Sequence, residues 1–168
     1  MTGAPKRTHY VVGFLFADPT PPFDRRVLLI RKRRPEWQAG RLNGIGGKVE
    51  PTDPSFEYAM RREFREEVGV ADPGISTVDA LRDPPDFTWR HYASLSDARG
   101  WAVHFFAAKW TLDGMSTLMP RTDETLWCGP ASPGGLTGLA FVPNLLWLIP
   151  LALDEDIARA QIFEVPRG

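Results

Sequence analysis

The 168 residues amount to one domain, long enough to bury roughly 70% of the surface its unfolded form exposes. Hydrophobic residues at 43% and charged residues at 24% exclude a disordered chain and a coiled coil. With 20 Lys and Arg against 21 Asp and Glu, the net charge of -1 lacks the positive surplus that holds nucleic acid backbones, so no nucleic acid polymer is expected as a partner.

The start of the chain carries no signal-peptide pattern, since the apolar run from Val11 to Ala17 is short and broken by Gly13. Thr8 to Ala17, β-branched and aromatic, predicts a strand, and the prolines of Asp18 to Phe23 predict an irregular loop after it. Arg26 to Arg31 encloses the apolar block Val27-Leu28-Leu29-Ile30 and predicts a second strand. The basic run from Arg31 to Arg34 reads as a solvated loop, or, ahead of a phosphate-handling segment, as a place where Arg31 touches substrate. Gly40 to Gly47 carries four glycines and predicts a loop or bulged strand that lets a ligand approach closely.

Ser55 to Val68 predicts a helix, with Asp53 as its cap, Pro54 at its first position and Gly69 at its end. Further strands are expected at Ile75 to Leu81, Asp86 to Tyr92, Trp101 to Thr111 and Glu124 to Cys128. A last helix is expected from about Pro143 to Leu153. The apolar stretch Leu139 to Leu153 is shorter than the ~20 residues of a spanning helix and is interrupted by Pro143, Asn144 and Pro150, so no membrane association is expected. On that helix Trp147, Leu148 and Leu151 would share one side, as core or as a dimer face, which leaves monomer and homodimer both open. Strands wrapped around two helices predict a mixed α/β or α+β sandwich in a single domain over residues 1–168. The lone Cys128 reads as a structural residue in a reducing, cytoplasmic setting, and His9, His91 and His104, scattered along the chain, as strand or loop residues.

The helix over 55–68 has an apolar stripe at Phe56, Met60, Phe64 and Val68 that would face the core. Glu63 and Glu67 lie beside the stripe and Glu66 about a quarter turn away, so three carboxylates converge along one edge. Their mutual repulsion calls for a cation, and oxygen-only ligands select a hard ion such as Mg²⁺ or Mn²⁺.

Gly46-Gly47-Lys48-Val49-Glu50, followed by Arg62-Glu63-Phe64-Arg65-Glu66-Glu67-Val68-Gly69-Val70, resembles the signature of the Nudix hydrolases, a box over about 46–70. The second half matches that pattern at every fixed position. In the first half Asp53 stands for the family's first glutamate, with eight rather than seven residues between it and Arg62. The resemblance implies an α/β/α sandwich with a mixed sheet and a loop–helix–loop catalytic segment. It implies Mg²⁺, or Mn²⁺, on Glu63, Glu66, Glu67 and the main-chain carbonyl of Gly46, with Arg62 orienting the carboxylates. The general base would be Glu66 first, and Asp123 or Glu124 second.

Trp37 to Lys48 resembles the approach to the box in the nucleoside triphosphate branch of that family, the mutator-preventing MutT-like enzymes, some of which clear oxidised purine nucleotides. By that resemblance Asn43 would read a base edge, Lys48 would join the substrate contacts, and Asn144 on the late helix would line the base pocket. Trp37, Phe87, Trp89 and Trp127 are candidates to stack on a base. The expected reaction turns a nucleoside triphosphate into the monophosphate and pyrophosphate. Two alternatives stay in view: an ADP-ribose or nucleotide-sugar hydrolase, hinted at by Pro85, and a non-catalytic nucleotide sensor.

Overall fold

A computed structural model describes residues 7–18, 24–71, 81–97, 100–154 and the backbone of 163–167. Its centre is β1 (Thr8–Ala17), which runs parallel to β6 (Trp101–Trp110) over ten residue pairs, from Thr8↔Trp101 to Ala17↔Trp110. On its other side β1 pairs antiparallel with β2 (Arg26–Arg31), which in turn pairs with β3 (Leu42–Asn43). Beyond β6 come β5 (Arg90–Asp97), antiparallel, and β9 (Phe163–Arg167), parallel to β5. The strand β8 (Thr125–Pro130) lies antiparallel on β2, and a separate pair joins β4 (Val68–Val70) to β7 (Leu118–Pro120).

Both faces of β1 are covered, which is why its sequence is an almost unbroken apolar run. Val11, Leu15 and Ala17 join Met60 and Phe64 of α1 (Phe56–Glu67) and Phe87 and Trp89 in one core layer. Phe14 and Phe16 point the other way, into a layer with Leu145, Leu148 and Ile149 of α3 (Leu145–Leu153). The result is the expected α/β/α sandwich with a mixed sheet. Close approach of α1 depends on Gly13, where a Cβ would stand 2.7 Å from Met60 Sδ and from the Trp89 ring.

Several expectations are corrected. Ser55, not Asp53, caps α1: its backbone is extended and its Oγ accepts the Tyr58 N–H at 3.1 Å. Pro54 therefore precedes the cap rather than opening the helix. The strand expected at Asp86 to Tyr92 begins only at Arg90, because Asp86 is tied to Arg61 and Arg65 on α1 while Phe87 and Trp89 sink into the core beneath it. The last helix starts after Asn144 rather than Pro143, and Pro150 sits inside it. Trp147 is 40% exposed and Leu148 is buried, so the two do not share a side. The strand expected at Ile75 to Leu81 lies, apart from Leu81, outside the described residues, as does most of the expected loop from Asp18 to Phe23. A short helix α2 (Leu112–Ser116), together with β7 and β9, was not expected.

Candidate active site

The loop of residues 45–49 runs antiparallel to β1, with bonds from Gly13 N–H to Ile45 O (2.7 Å), Val11 N–H to Gly47 O (2.9 Å) and Val49 N–H to His9 O (2.9 Å). Two glycines make this possible for different reasons. Gly46 has φ +149°, and a Cβ there would stand 2.1 Å from Val11 O. At Gly47 a Cβ would stand 2.5 Å from Glu63 Oε2, so this residue leaves room for a carboxylate.

Arg62 gathers the first cluster. Its Nε and Nη2 donate to the two oxygens of Asp53 at 3.0 and 2.8 Å, a bidentate pair, and Nη2 also donates to Lys48 O at 3.0 Å. Nη1 reaches Glu63 Oε1 at 3.0 Å and both oxygens of Glu66 at 3.2 and 3.1 Å. The guanidinium thus ties the loop to the helix and sets the direction of two carboxylates. Asp53 is a clamp in this arrangement: it accepts the Glu50 N–H at 2.8 Å, and the Arg62 hydrogen bond holds its carboxyl below the usual carboxylate range despite burial.

A second cluster forms around Lys32, a residue only 8% exposed. Its Nζ donates to Glu67 Oε1 at 2.7 Å and lies 3.5 Å from both Gly46 O and Glu124 Oε2. Glu67 Oε2 accepts the Gly46 N–H at 3.1 Å, and Glu124 Oε1 accepts the Arg33 N–H at 2.9 Å. Three oxygens from three separate segments therefore already surround a positive charge. Burial raises the pKa of Glu67, with Glu124 adding to the rise and Lys32 opposing it. Burial raises Glu63 in the same way, against Arg62. Because Arg62 draws Glu63 and Glu66 while Lys32 draws Glu67, no three His, Cys, Asp or Glu side chains converge on one point among the described residues. Sequence reasoning missed Lys32 because it stands in a basic run that reads as solvated loop; its place directly after β2, two residues beyond the apolar block, was the available signal.

The other expected residues are more dispersed. Asn43 is 9% exposed; its Oδ1 accepts the Gly44 N–H at 2.8 Å and its Nδ2 donates to Gln38 Oε1 at 2.9 Å. Arg31 donates to Gly40 O at 2.6 Å and so braces the glycine loop. The Lys48 side chain is exposed, and Asp123 pairs with Arg33 at 2.9 Å on the surface beside Glu124. Asn144 stands at the start of α3 with a buried Oδ1 that meets no donor. Among the candidate stacking residues, Phe87 and Trp89 are core, whereas Trp37 is 61% exposed.

The three histidines, read as scattered, come together across β1, β5 and β6. His9 Nδ1 lies 3.0 Å from His104 Nε2, and Ser94 Oγ bridges His104 Nδ1 at 2.9 Å and His91 Nε2 at 3.0 Å.

The NUDIX domain family model matches residues 7–137. No curated protein sequence matches the chain. Among solved structures, the NUDIX domain of Shewanella oneidensis NrtR, complexed with ADP ribose, aligns with TM-score 0.62 at 17% identity over 89% of this chain and 88% of that one. The Escherichia coli ORF135 protein aligns with TM-score 0.58 at 24% identity over 92% and 94%. A MutT structure from work on Aliivibrio salmonicida and Vibrio cholerae aligns with TM-score 0.57 at 17% identity over 88% and 98%.

Proposed function

Because the chain belongs to the NUDIX domain family, whose members hydrolyse phosphoric anhydrides, we propose that it cleaves a nucleoside triphosphate to the monophosphate and pyrophosphate. Nudix hydrolases generally need a divalent metal, commonly Mg²⁺. The observation that carries the reading here is the set of oxygens from Glu67, Gly46 and Glu124 gathered on the Lys32 ammonium, a hard donor set already arranged around a cation. Glu63, Glu66, Glu67 and the Gly46 carbonyl would hold Mg²⁺ or Mn²⁺, which when bound neutralises diphosphate charge and makes a held water more acidic.

The chain's own groups do the rest. Arg62 holds Glu63 and Glu66 by hydrogen bonds and aims both. Glu66, the most exposed of the three with its side chain at 56%, takes the proton of the attacking water. Glu124 is the second candidate, since the Arg33 N–H fixes one of its oxygens and leaves the other facing the Lys32 and Glu67 cluster. Lys32 supplies positive charge at the same point, suited to phosphate oxygens. Asn43, Asn144 and Trp37 are the groups offered to the base, with Arg31, Lys48 and Asp123 at the margin.

A second substrate, ADP-ribose, has one supporting observation: the similar NrtR domain was solved with that ligand. A panel of nucleoside triphosphates, oxidised purine deoxynucleotides, ADP-ribose and dinucleoside polyphosphates, assayed with Mg²⁺ for each phosphate product, separates the readings. Pyrophosphate and monophosphate as main products support the proposal. Orthophosphate plus a diphosphate, or turnover of ADP-ribose alone, defeats it.

A further inference from the structure

Three residues ahead of Gly46, two side-chain amides hold each other. Asn43 Oδ1 accepts the Gly44 N–H at 2.8 Å, and Asn43 Nδ2 donates to Gln38 Oε1 at 2.9 Å. The directions follow from the main chain. A backbone N–H can only donate, so Asn43 turns its oxygen to Gly44 and its nitrogen to Gln38, which must then offer its own oxygen. The Asn43 amide, in a residue only 9% exposed, is thus held in one of its two orientations by an anchor on each side.

Gln38 is the anchor that does not belong to the main chain. It ends a single 3-10 turn at Glu36–Gln38, and backbone bonds fasten that turn without the side chain: Gln38 N–H to Pro35 O at 2.8 Å, Arg41 N–H to Gln38 O at 2.9 Å and Lys32 N–H to Arg41 O at 3.0 Å. Trp37, beside Gln38 in the same turn, is 61% exposed and offers a flat face on which a ring can stack. β3 sets Asn43 opposite Ile30, two residues before Lys32. One strand across and two residues along put it about 8 Å from the Lys32 backbone, a separation on the scale of a nucleoside.

We propose that Gln38 is a specificity-determining residue that acts through Asn43, fixing which hydrogen-bonding edge this amide turns to a nucleobase. Asn43 spends one N–H and one lone pair on its two anchors and keeps one of each. An amide free to make a half turn would offer N–H or carbonyl to the same ring substituent, and would accept keto and amino bases alike. A fixed amide accepts one and sets the other donor to donor or acceptor to acceptor. The ligand class is therefore a nucleobase told apart by a keto or an amino group at one ring position, as guanine is from adenine. That Asn43 meets a base rests on the function proposed above, whereas its orientation by Gln38 rests on the hydrogen bonds.

Calorimetric titration of GTP against ATP, and of UTP against CTP, in chelator reads base choice apart from turnover. In at least one pair the wild type should favour one member by about fivefold or more, the worth of one neutral hydrogen bond. Gln38→Met removes the acceptor at similar length and should bring the two affinities to within about twofold. Gln38→Glu keeps an oxygen toward Asn43 Nδ2 and should retain the wild-type ratio. In NMR spectra the Asn43 side-chain amide signals should shift in Gln38→Met and hold in Gln38→Glu. Gln38→Ala is read in the same way should Gln38→Met not fold. Base-selective binding that collapses in Gln38→Met, in a protein that hydrolyses no nucleotide with Mg²⁺, would support the proposal and refute the hydrolase reading alone. Turnover with Mg²⁺ whose ratio of kcat/KM between paired bases is the same in the wild type and Gln38→Met would overturn the proposal and leave the hydrolase reading standing. No binding, equal wild-type affinities in both pairs, or a fall by one common factor for every base in Gln38→Met also overturns it.

Discussion

At the scale of single residues, the site is organised by two cations that keep three carboxylates apart. The pair between Lys32 and Glu67 is largely buried, with side chains 10% and 15% exposed. Removing one partner of such a pair leaves an uncompensated charge and costs about 3–5 kcal/mol. Lys32→Met should therefore lose thermal stability in chelator and recover a larger share of it than the wild type when Mg²⁺ is added, because a second cation then meets Glu67. An equal Mg²⁺ response in the two proteins would show that the metal does not go to this carboxylate. Glu67→Gln should lower kcat by several orders of magnitude in a chain that still folds, since an amide of similar shape is a poorer ligand. Turnover near that of the wild type would remove Glu67 from the site. Gly47→Ala belongs to the same test: its methyl would displace the Glu63 carboxylate, so activity should fall more than stability does.

At the scale of elements, α1 delivers these side chains, and its N-terminal anchoring decides how firmly. Ser55→Ala removes the acceptor for the Tyr58 N–H and should cost about 0.5–2 kcal/mol in denaturant unfolding, whereas Asp53→Asn should instead loosen Arg62 and act mainly on kcat. Similar effects of both changes on both readouts would contradict this division of labour. The division was not legible in the sequence, where Asp53 and Ser55 are both sound cap residues; only the reach of Arg62 to Asp53 decides between them. Strands β1, β2 and β6 and helix α1 were legible because each carries an apolar pattern of its own. β7 and β9 were not: three and five residues hold too few side chains to show a period, and their pairing with β4 and β5 is long-range. The carboxylate edge of α1 could be read from helical spacing alone. Lys32 and Glu124 could not, because they meet Glu67 only through the pairing of β2 with β8, which sets Arg31 opposite Thr125.

At the scale of the whole molecule, the same long-range pairing assembles a polar chain through the sheet that the order of residues conceals. The parallel register of β1 with β6 brings His9 beside His104, and the β5 to β6 register sets Ser94 opposite His104. Proton positions follow from the partners. Ala93 O can only accept, so His91 Nε2 carries a proton and gives it to Ala93 O and Ser94 Oγ, each at 3.0 Å. Ser94 then donates to His104 Nδ1, and His104 Nε2–H donates to His9 Nδ1. Phe56 of α1 stacks on His104 at 3.8 Å and on His9 at 5.1 Å, and Phe106 stacks on His91 at 4.8 Å, so the chain is covered by apolar rings. Burial, with His91 and His9 beside it, lowers the His104 pKa to about 4, and burial lowers His91 as well. The unfolded chain, with His104 near 6.5, thus takes up its proton first as pH falls, and stability is lost from pH 6.5 downward until about pH 4. By pH 5 the loss from His104 comes to about 2 kcal/mol relative to pH 8. The buried Glu63 and Glu67 act with the opposite sign, because their raised values favour the folded state as they protonate. His104→Gln keeps a polar side chain and removes the titration, so its urea midpoint should vary less between pH 8 and pH 5 than that of the wild type. Parallel pH profiles for the two proteins would place the acid sensitivity outside this histidine chain.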